Sequence, residues 1–361
     1  MTNFSPSSVD RSSHGRSFRI RSLALVLGAI ILSGCGNEQK TKTVDELVDE
    51  AAAKLAIADL VSAKAAISNA YVLASGDVDV RLLKAQIDFH ARDYASAAKL
   101  FKGVAEDKSL DRKLRAQGWA GLGVLDQCAN ERDLARIDFL KALRLDGKNL
   151  AAWYHLGYIY HNDYGYYKAA KDCYEYFVSL SPAIDDRVLK VQRSTIPALR
   201  EAQDNSILEI PGARNPDSAA CAKALAAAEA AMKKKTFKTA RMRYEESVKA
   251  DPTSEPAAIG FAKFLVKNDQ TAAGKKLALE QYRRACKLAP SKVSDFLAAG
   301  EFAAATGNHL TARELYSRAV AADPTNISAI DGLIRALRKT NQSKTASAYQ
   351  LYREFLAVKV K

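Results

Sequence analysis

Proline and tryptophan are scarce in this chain of 361 residues, which has nine of the one and two of the other. Stretches that alternate apolar and polar residues, as half-buried strands do, are missing. With few helix breakers, abundant alanine and no period of two, the chain reads as nearly all helix. Histidine is also rare, with five in all. His155 and His161 are six residues apart, about 240° round a helix, so they do not face one metal ion. The chain has no H-E-x-x-H, no G-x-S-x-G, no G-x4-G-K-[ST] and no G-x-G-x-x-G. Nothing argues for catalysis, and the chain is read as a non-enzyme without metal or dissociable cofactor. Five cysteines are present and none forms C-x-x-C. Spacing cannot decide pairing; Cys128, Cys173, Cys221 and Cys286 are expected as free thiols in helices, with disulfides open if the compartment is oxidising.

Acidic residues are in short supply only in the second half. Residues 44–182 carry 18 Lys and Arg against 20 Asp and Glu, whereas residues 217–361 carry 25 against 14. That asymmetry points either to an acidic partner for the C-terminal half or to an ordinary solvated surface.

A long apolar run is missing too. Leu23 to Leu32 is ten residues, about half the thickness of a bilayer core, too short to span one. Arg11, Arg16, Arg19 and Arg21 precede it, and Ser33, Gly34 and Cys35 follow. A basic segment, a short apolar core and a small-residue exit describe an export signal. Leu32-Ser33-Gly34-Cys35 resembles a bacterial lipobox. The resemblance implies cleavage before Cys35 and acylation of its sulfur, so that Cys35 becomes the first mature residue and, carrying several acyl chains, a durable anchor; no other cofactor is expected. Gly36 stands at the next position instead of the Asp that retains such proteins at the inner membrane. The expectation is therefore a lipid-anchored protein of a Gram-negative bacterium, on the periplasmic face of the outer membrane, with no access to nucleic acid.

What is abundant is self-similarity. Trp119, Leu122 and Gly123 recur 34 residues later in Trp153, Leu156 and Gly157; Ala135, Phe139 and Ala142 follow in the first copy and Ala170 and Tyr174 in the second, which Pro182 closes. Further copies carry Ala63 and Ala70; Ala85, Tyr94 and Phe101; Ala228, Ala240, Tyr244 and Pro252; Ala262, Ala278, Tyr282 and Pro290; Gly300, Ala312, Tyr316 and Pro324; and Leu333 and Ala346. An insertion of about four residues falls near Asn268–Gly274. The pattern resembles the tetratricopeptide repeat, W-x2-L-G-x2-Y then A-x3-F-x2-A and a closing Pro. The resemblance implies an all-α solenoid, a right-handed superhelix of about eight helix pairs whose units bury their apolar sides only by stacking. Proline ends a second helix because it lacks an N–H and clashes with the preceding turn. The organisation expected is an export signal (1–34), a tether (35–43), an N-terminal array (44–182), a linker with a capping helix near 185–204 (183–216), and a basic C-terminal array (217–361).

In that family the first helix of each pair, helix A, lines a groove through its positions 2, 5, 9, 12 and 13. Carried over, the frame places Tyr154, Tyr158, His161 and Asn162 on the groove of the fourth unit, amid eight tyrosines between 154 and 176. A tyrosine offers an apolar body and a polar tip for peptide or sugar, although Tyr160 and Tyr174 fall on packing positions. In the C-terminal array the same positions hold Lys233, Lys263, Lys267, Arg335, Arg338 and Lys339. Position 5 is nowhere Lys, which argues against the peptide-carboxylate clamp of chaperone-binding members. The expected role is a scaffold for envelope proteins or peptides in assembly or secretion, of pilus, secretin or exopolysaccharide type. The second reading is a binder of an anionic glycan, peptidoglycan or lipopolysaccharide, through the basic array.

Overall fold

A computed structural model describes residues 42–181 and 186–358. The export signal, Cys35 and Pro182 lie outside the described residues. Helices follow one another in pairs: α1 (Val44–Ala56) and α2 (Leu60–Leu73), α3 (Val78–His90) and α4 (Tyr94–Glu106), α5 (Arg112–Cys128) and α6 (Arg132–Leu145), α7 (Leu150–Tyr158) and α8 (Tyr167–Leu180). A helical stretch follows, made of α9 (Asp186–Lys190), a π-turn (Val191–Thr195) and α10 (Ile196–Leu208). Four more pairs complete the chain: α11 (Ser218–Lys233) and α12 (Phe237–Ala250), α13 (Glu255–Asn268) and α14 (Ala272–Leu288), α15 (Val293–Ala305) and α16 (His309–Ala322), α17 (Ile327–Lys339) and α18 (Ser343–Ala357). The described residues are all-helical, and the eight pairs are the eight repeat units. The capping helix expected near 185–204 is the stretch 186–208.

The turn inside six of the eight pairs is the same device; the fourth closes instead at Gly165, φ 63°, with the Tyr166 N–H on Tyr160 O at 2.8 Å. Ala58, Arg92, Asn130, Lys235, Gly307 and Asn341 take left-handed φ of 58–78° after the first helix. The next N–H then reaches back five residues: Asp59 to Lys54 O at 2.9 Å, Asp93 to Asp88 O at 2.8 Å, Glu131 to Asp126 O at 2.9 Å, Asn308 to Ala303 O at 2.8 Å. This Schellman closure satisfies carbonyls the helix end leaves open and reverses the chain over few residues. The sixth pair lacks it. There the expected insertion does not lengthen a loop. It extends α14 to 17 residues against 14 in α12 and α16.

Within pairs, glycine and an aromatic ring fit one another. A methyl group on Gly123 would sit 2.7 Å from the Phe139 ring, and one on Gly300 would sit 2.9 Å from Tyr316. The Tyr316 ring also abuts Gly332 of the next unit. The small positions of the repeat thus let helix axes close onto the aromatic of the second helix.

The chain divides into two compact units, one ending at Phe101 and one beginning at Lys102. The first holds α1 to α3 and most of α4, with a core of Leu47, Leu55, Ile67, Val80 and Ile87. The second holds everything from the end of α4 onward. The boundary therefore falls within the expected N-terminal array, and segment 183–216 joins helices inside one unit.

In the second unit the chain doubles back. The returning helices α18, α16 and α14, each the second helix (helix B) of its pair, meet the outgoing chain in reverse order. The α6 helix packs on α18, residues 160–166 on α16, and α10 on α14. The centre of the seam is Arg136 of α6, fully buried. Its Nε donates to the Tyr349 hydroxyl at 2.7 Å and its second nitrogen to the Ser317 hydroxyl at 2.9 Å. Tyr164 donates to Asp133 at 2.7 Å, and that carboxylate lies 3.4 Å from the guanidinium. The Tyr164 and Tyr349 rings flank the cation at 4.9 and 5.3 Å. Burying a charge is tolerable only with such pairing. Lys344 of α18 meets Glu131 at 2.6 Å, and Trp119 meets Phe355 edge to face at 6.4 Å.

Two predictions follow from this seam. Arg136→Ala takes the donor from the buried Tyr349 and Ser317 hydroxyls and the cation from Asp133, so the second unit should lose about 3–5 kcal/mol, with amide exchange accelerated first in α18. Asp126, beside the seam, is raised to about 6 by burial, with Asp138 and Glu131 adding repulsion. Its folded value exceeds its unfolded one, so it withdraws stability as pH rises from about 4 to 6. Asp126→Asn should therefore stabilise the second unit at pH 7 by about 1 kcal/mol after allowance for solvent screening. The gain should vanish by pH 4 in thermal melts.

Candidate partner-binding surfaces

The A helices α7, α13, α15 and α17 carry exposed side chains, Tyr158, Lys263, Glu301 and Arg335 among them. On α7, Tyr154 is half buried, its ring 5.3 Å from Phe177 and 6.0 Å from Tyr174 of α8. It is a packing residue. Tyr158 is 43% exposed and is the tyrosine available for contact. Of the other six, Tyr160, Tyr166 and Tyr174 are buried, Tyr164 joins the Arg136 cluster, and Tyr176 stacks on Trp153 at 4.8 Å. Tyr167 stands at the mouth of a cleft described below.

His161 and Asn162 do not follow the α-helical frame. Residues Ile159–Asp163 form a π-turn, in which successive side chains do not keep the roughly 100° spacing of an α-helix. His161 is half buried and burial pushes its pKa down, while Asn162 caps the Tyr158 carbonyl at 3.1 Å. His155 stacks on Phe139 at 5.4 Å, its Nδ1 lies 2.7 Å from Gln127, and burial pushes its pKa down to about 4. It is a neutral core residue at physiological pH.

In the C-terminal array the six basic residues are exposed, and among the described residues none has a carboxylate within 4 Å. They fall on two rows. Position 9 of successive A helices reads Glu229, Lys263, Glu301, Arg335. Glu301 acts on the hydroxyls of both Tyr282 and Tyr316, and Arg335 lies beside Tyr316. This row alternates in sign, so the basic wall expected from Lys263 and Arg335 is interrupted by acids that share their position. The row at position 13 reads Lys233, Lys267, Ala305, Lys339, with Arg338 adjacent, and contains no acid. Each of these cations stands in the last turn of its helix, where it also complements the helix dipole. The uninterrupted positive feature is this rim.

A cleft of about 430 Å³ opens at the seam between α8, α10, α14 and α16. Lys168, Arg283, Arg284, Lys287 and Arg318 line it, with Glu209, Glu280 and Glu314. None of these lies on a groove position of the repeat frame. They come from helix B surfaces and from α10, which the frame treats as the outside of the solenoid. Only the fold-back brings them together.

Cys128 is exposed and Cys173, Cys221 and Cys286 are buried, all as free thiols. Among the described residues no group of three or more His, Cys, Asp or Glu could hold a metal ion, and no helix is long and apolar enough to cross a membrane.

Residues 150–184 match the model of the tetratricopeptide repeat. No curated protein matches the sequence. Among solved structures the chain is similar to one in the APC/C hetero-tetramer Cut9–Hcn1, at 16% identity and a TM-score of 0.31 over 89% of this chain and 74% of that one. It is similar to MamA at 16% identity and 0.27, over 65% of this chain and 94% of that one. It is also similar to YrrB, described as a TPR protein with an unusual peptide-binding site, at 20% identity and 0.25, over 65% and 98%. At these scores the likenesses carry no functional weight.

The two tyrosines of α7 separate packing from contact. Tyr154→Ala should cost about 2–4 kcal/mol, as for other aromatic truncations in a partly closed core. Tyr158→Ala should stay within about 0.5 kcal/mol, as for an exposed site. Chemical denaturation of the two variants checks both.

Proposed function

We propose that this chain is a non-catalytic helix-repeat scaffold that binds acidic protein partners along the A-helix rim of its C-terminal array. The observation that carries the reading is the row Lys233, Lys267, Arg338 and Lys339. These are exposed cations on the same turn of the fifth, sixth and eighth units, with no carboxylate within 4 Å among the described residues. Such a row leaves its field unspent inside the molecule, and a ladder of positive charge speeds and orients the approach of an acidic surface. The tetratricopeptide repeat at 150–184 agrees with a role in holding proteins or peptides. Tyr158 adds an amphipathic contact on the other array.

The finer part of the proposal concerns place. The Leu32-Ser33-Gly34-Cys35 sequence supports acylation of Cys35 and attachment to the periplasmic face of the outer membrane, where the partners would be envelope proteins of an assembly or secretion system. Multiple acyl chains hold a protein durably where one holds it marginally. The same cation row would also suit an anionic envelope glycan, and the two differ in what is captured.

Alanine at Lys233, Lys267 and Lys339 together should cut partner capture from the envelope at least about tenfold while leaving the helical content unchanged. Crosslinking that retrieves a protein supports the scaffold reading, and retrieval of glycan alone replaces it with the second. Unchanged capture by the triple variant discards the rim. For the anchor, Cys35→Ser should leave the leader uncut or release the chain from membranes; a variant that is processed and membrane-bound like the wild type removes the lipid from the account.

A further inference from the structure

The cleft at the seam holds charge that a rim-binding scaffold does not use. Lys168 pairs with Asp172 at 2.6 Å, Lys287 with Glu209 at 3.5 Å, and Arg283 and Arg318 share Glu314 at 3.9 and 3.3 Å. Arg284 is different. It is half buried, and among the described residues no carboxylate comes within 4 Å of it. Burial pulls its pKa down, and Glu280 one turn earlier opposes that pull only through space. A guanidinium does not shed its proton near neutral pH. Its lost hydration is therefore a standing cost that a bound anion would relieve. The lining as a whole has two more cations than carboxylates. The walls around them are apolar and aromatic, with Tyr166, Tyr167, Phe296 and Leu315 among them. A volume of about 430 Å³ is in the range that encloses a small organic molecule.

We propose that this cleft binds a small organic anion, a carboxylate or phosphate head on an apolar body, with the head on Arg284 and the body against the aromatic wall. The site is independent of the rim, because its residues lie on α8, α10, α14 and α16 and on the seam side of the arrays. Such an anion could be a free molecule or the terminal carboxylate of a chain ending in an apolar residue. Either would bridge helices of the two arrays and tighten the seam.

Isothermal titration of the full chain with phenyl phosphate, inorganic phosphate and N-acetylphenylalanine tests this. Phenyl phosphate or N-acetylphenylalanine should saturate one site with a Kd below about 1 mM, and inorganic phosphate should bind at least about tenfold more weakly because it lacks the apolar body. Preference for phenyl phosphate points to a free phosphorylated ligand, and preference for N-acetylphenylalanine to a chain terminus. Arg284→Gln breaks no ion pair, so its thermal melt should match the wild type while the Kd rises about tenfold. Alanine at Lys233, Lys267 and Lys339 should leave the Kd unchanged, which separates this site from the rim. Absence of saturable binding by both aromatic anions, or an Arg284→Gln variant that binds them as tightly as the wild type, overturns the proposal.

Discussion

A guanidinium with no route to water holds the second unit in its shape. Arg136 reaches Ser317 and Tyr349, 181 and 213 residues away along the chain, and no arrangement other than the fold-back gives it those partners. A hydrophobic residue would bury as well or better, since desolvation offsets most of what a buried ion pair gains. The charge instead makes misregistered packing expensive: any slip of α18 along α6 takes the Tyr349 hydroxyl away from a buried cation. Specificity of docking, more than stability, is what this cluster contributes.

The consequence reaches the surfaces. A stack of helix pairs has two faces, one lined by A helices and one by B helices. Here α6 is spent on α18, residues 160–166 on α16 and α10 on α14, so binding is left to exposed side chains of the A helices and to the gap the docking leaves open. That gap is the cleft at α8, α10, α14 and α16. Its cations are ordinary helix-surface residues that became neighbours only because the arrays met, which is why their acids are too few for them.

Much of the fold was legible because the repeat writes its packing rules at fixed spacing. Small residues such as Gly123 and Gly300 face Phe139 and Tyr316, and the 34-residue period survives even where the turn residues vary from Ala58 to Asn341. The doubling back was not legible through that frame. One trace of it exists: α6 buries Arg136, Ile137 and Leu140 in addition to the repeat's own Ala135, Phe139 and Ala142, whereas α12 buries only four residues. A second helix buried on both sides needs a second partner. Of the tyrosine-rich segment, Tyr164 and Tyr166 serve the same seam. The π-turn at Ile159–Asp163 shifted His161 and Asn162, because spacing rules assume an unbroken helix. The basic wall was half legible: the lysines sit on the positions assigned to them, but Glu229 and Glu301 occupy the same row, as counting acids alongside cations reveals.

Docking of α6, residues 160–166 and α10 on α18, α16 and α14, in reverse order, is the contact on which the rest depends. Zero-length carbodiimide coupling followed by mass spectrometry tests it directly, because that reagent joins only amines and carboxylates already in contact. Coupling between Lys344 and Glu131, 2.6 Å apart, and between Lys287 and Glu209, 3.5 Å apart, is predicted alongside the local pair Lys292 and Glu255 at 2.8 Å. Recovery of the Lys292–Glu255 product without either of the other two would show arrays that stack in line and never meet back to back, and would contradict the account.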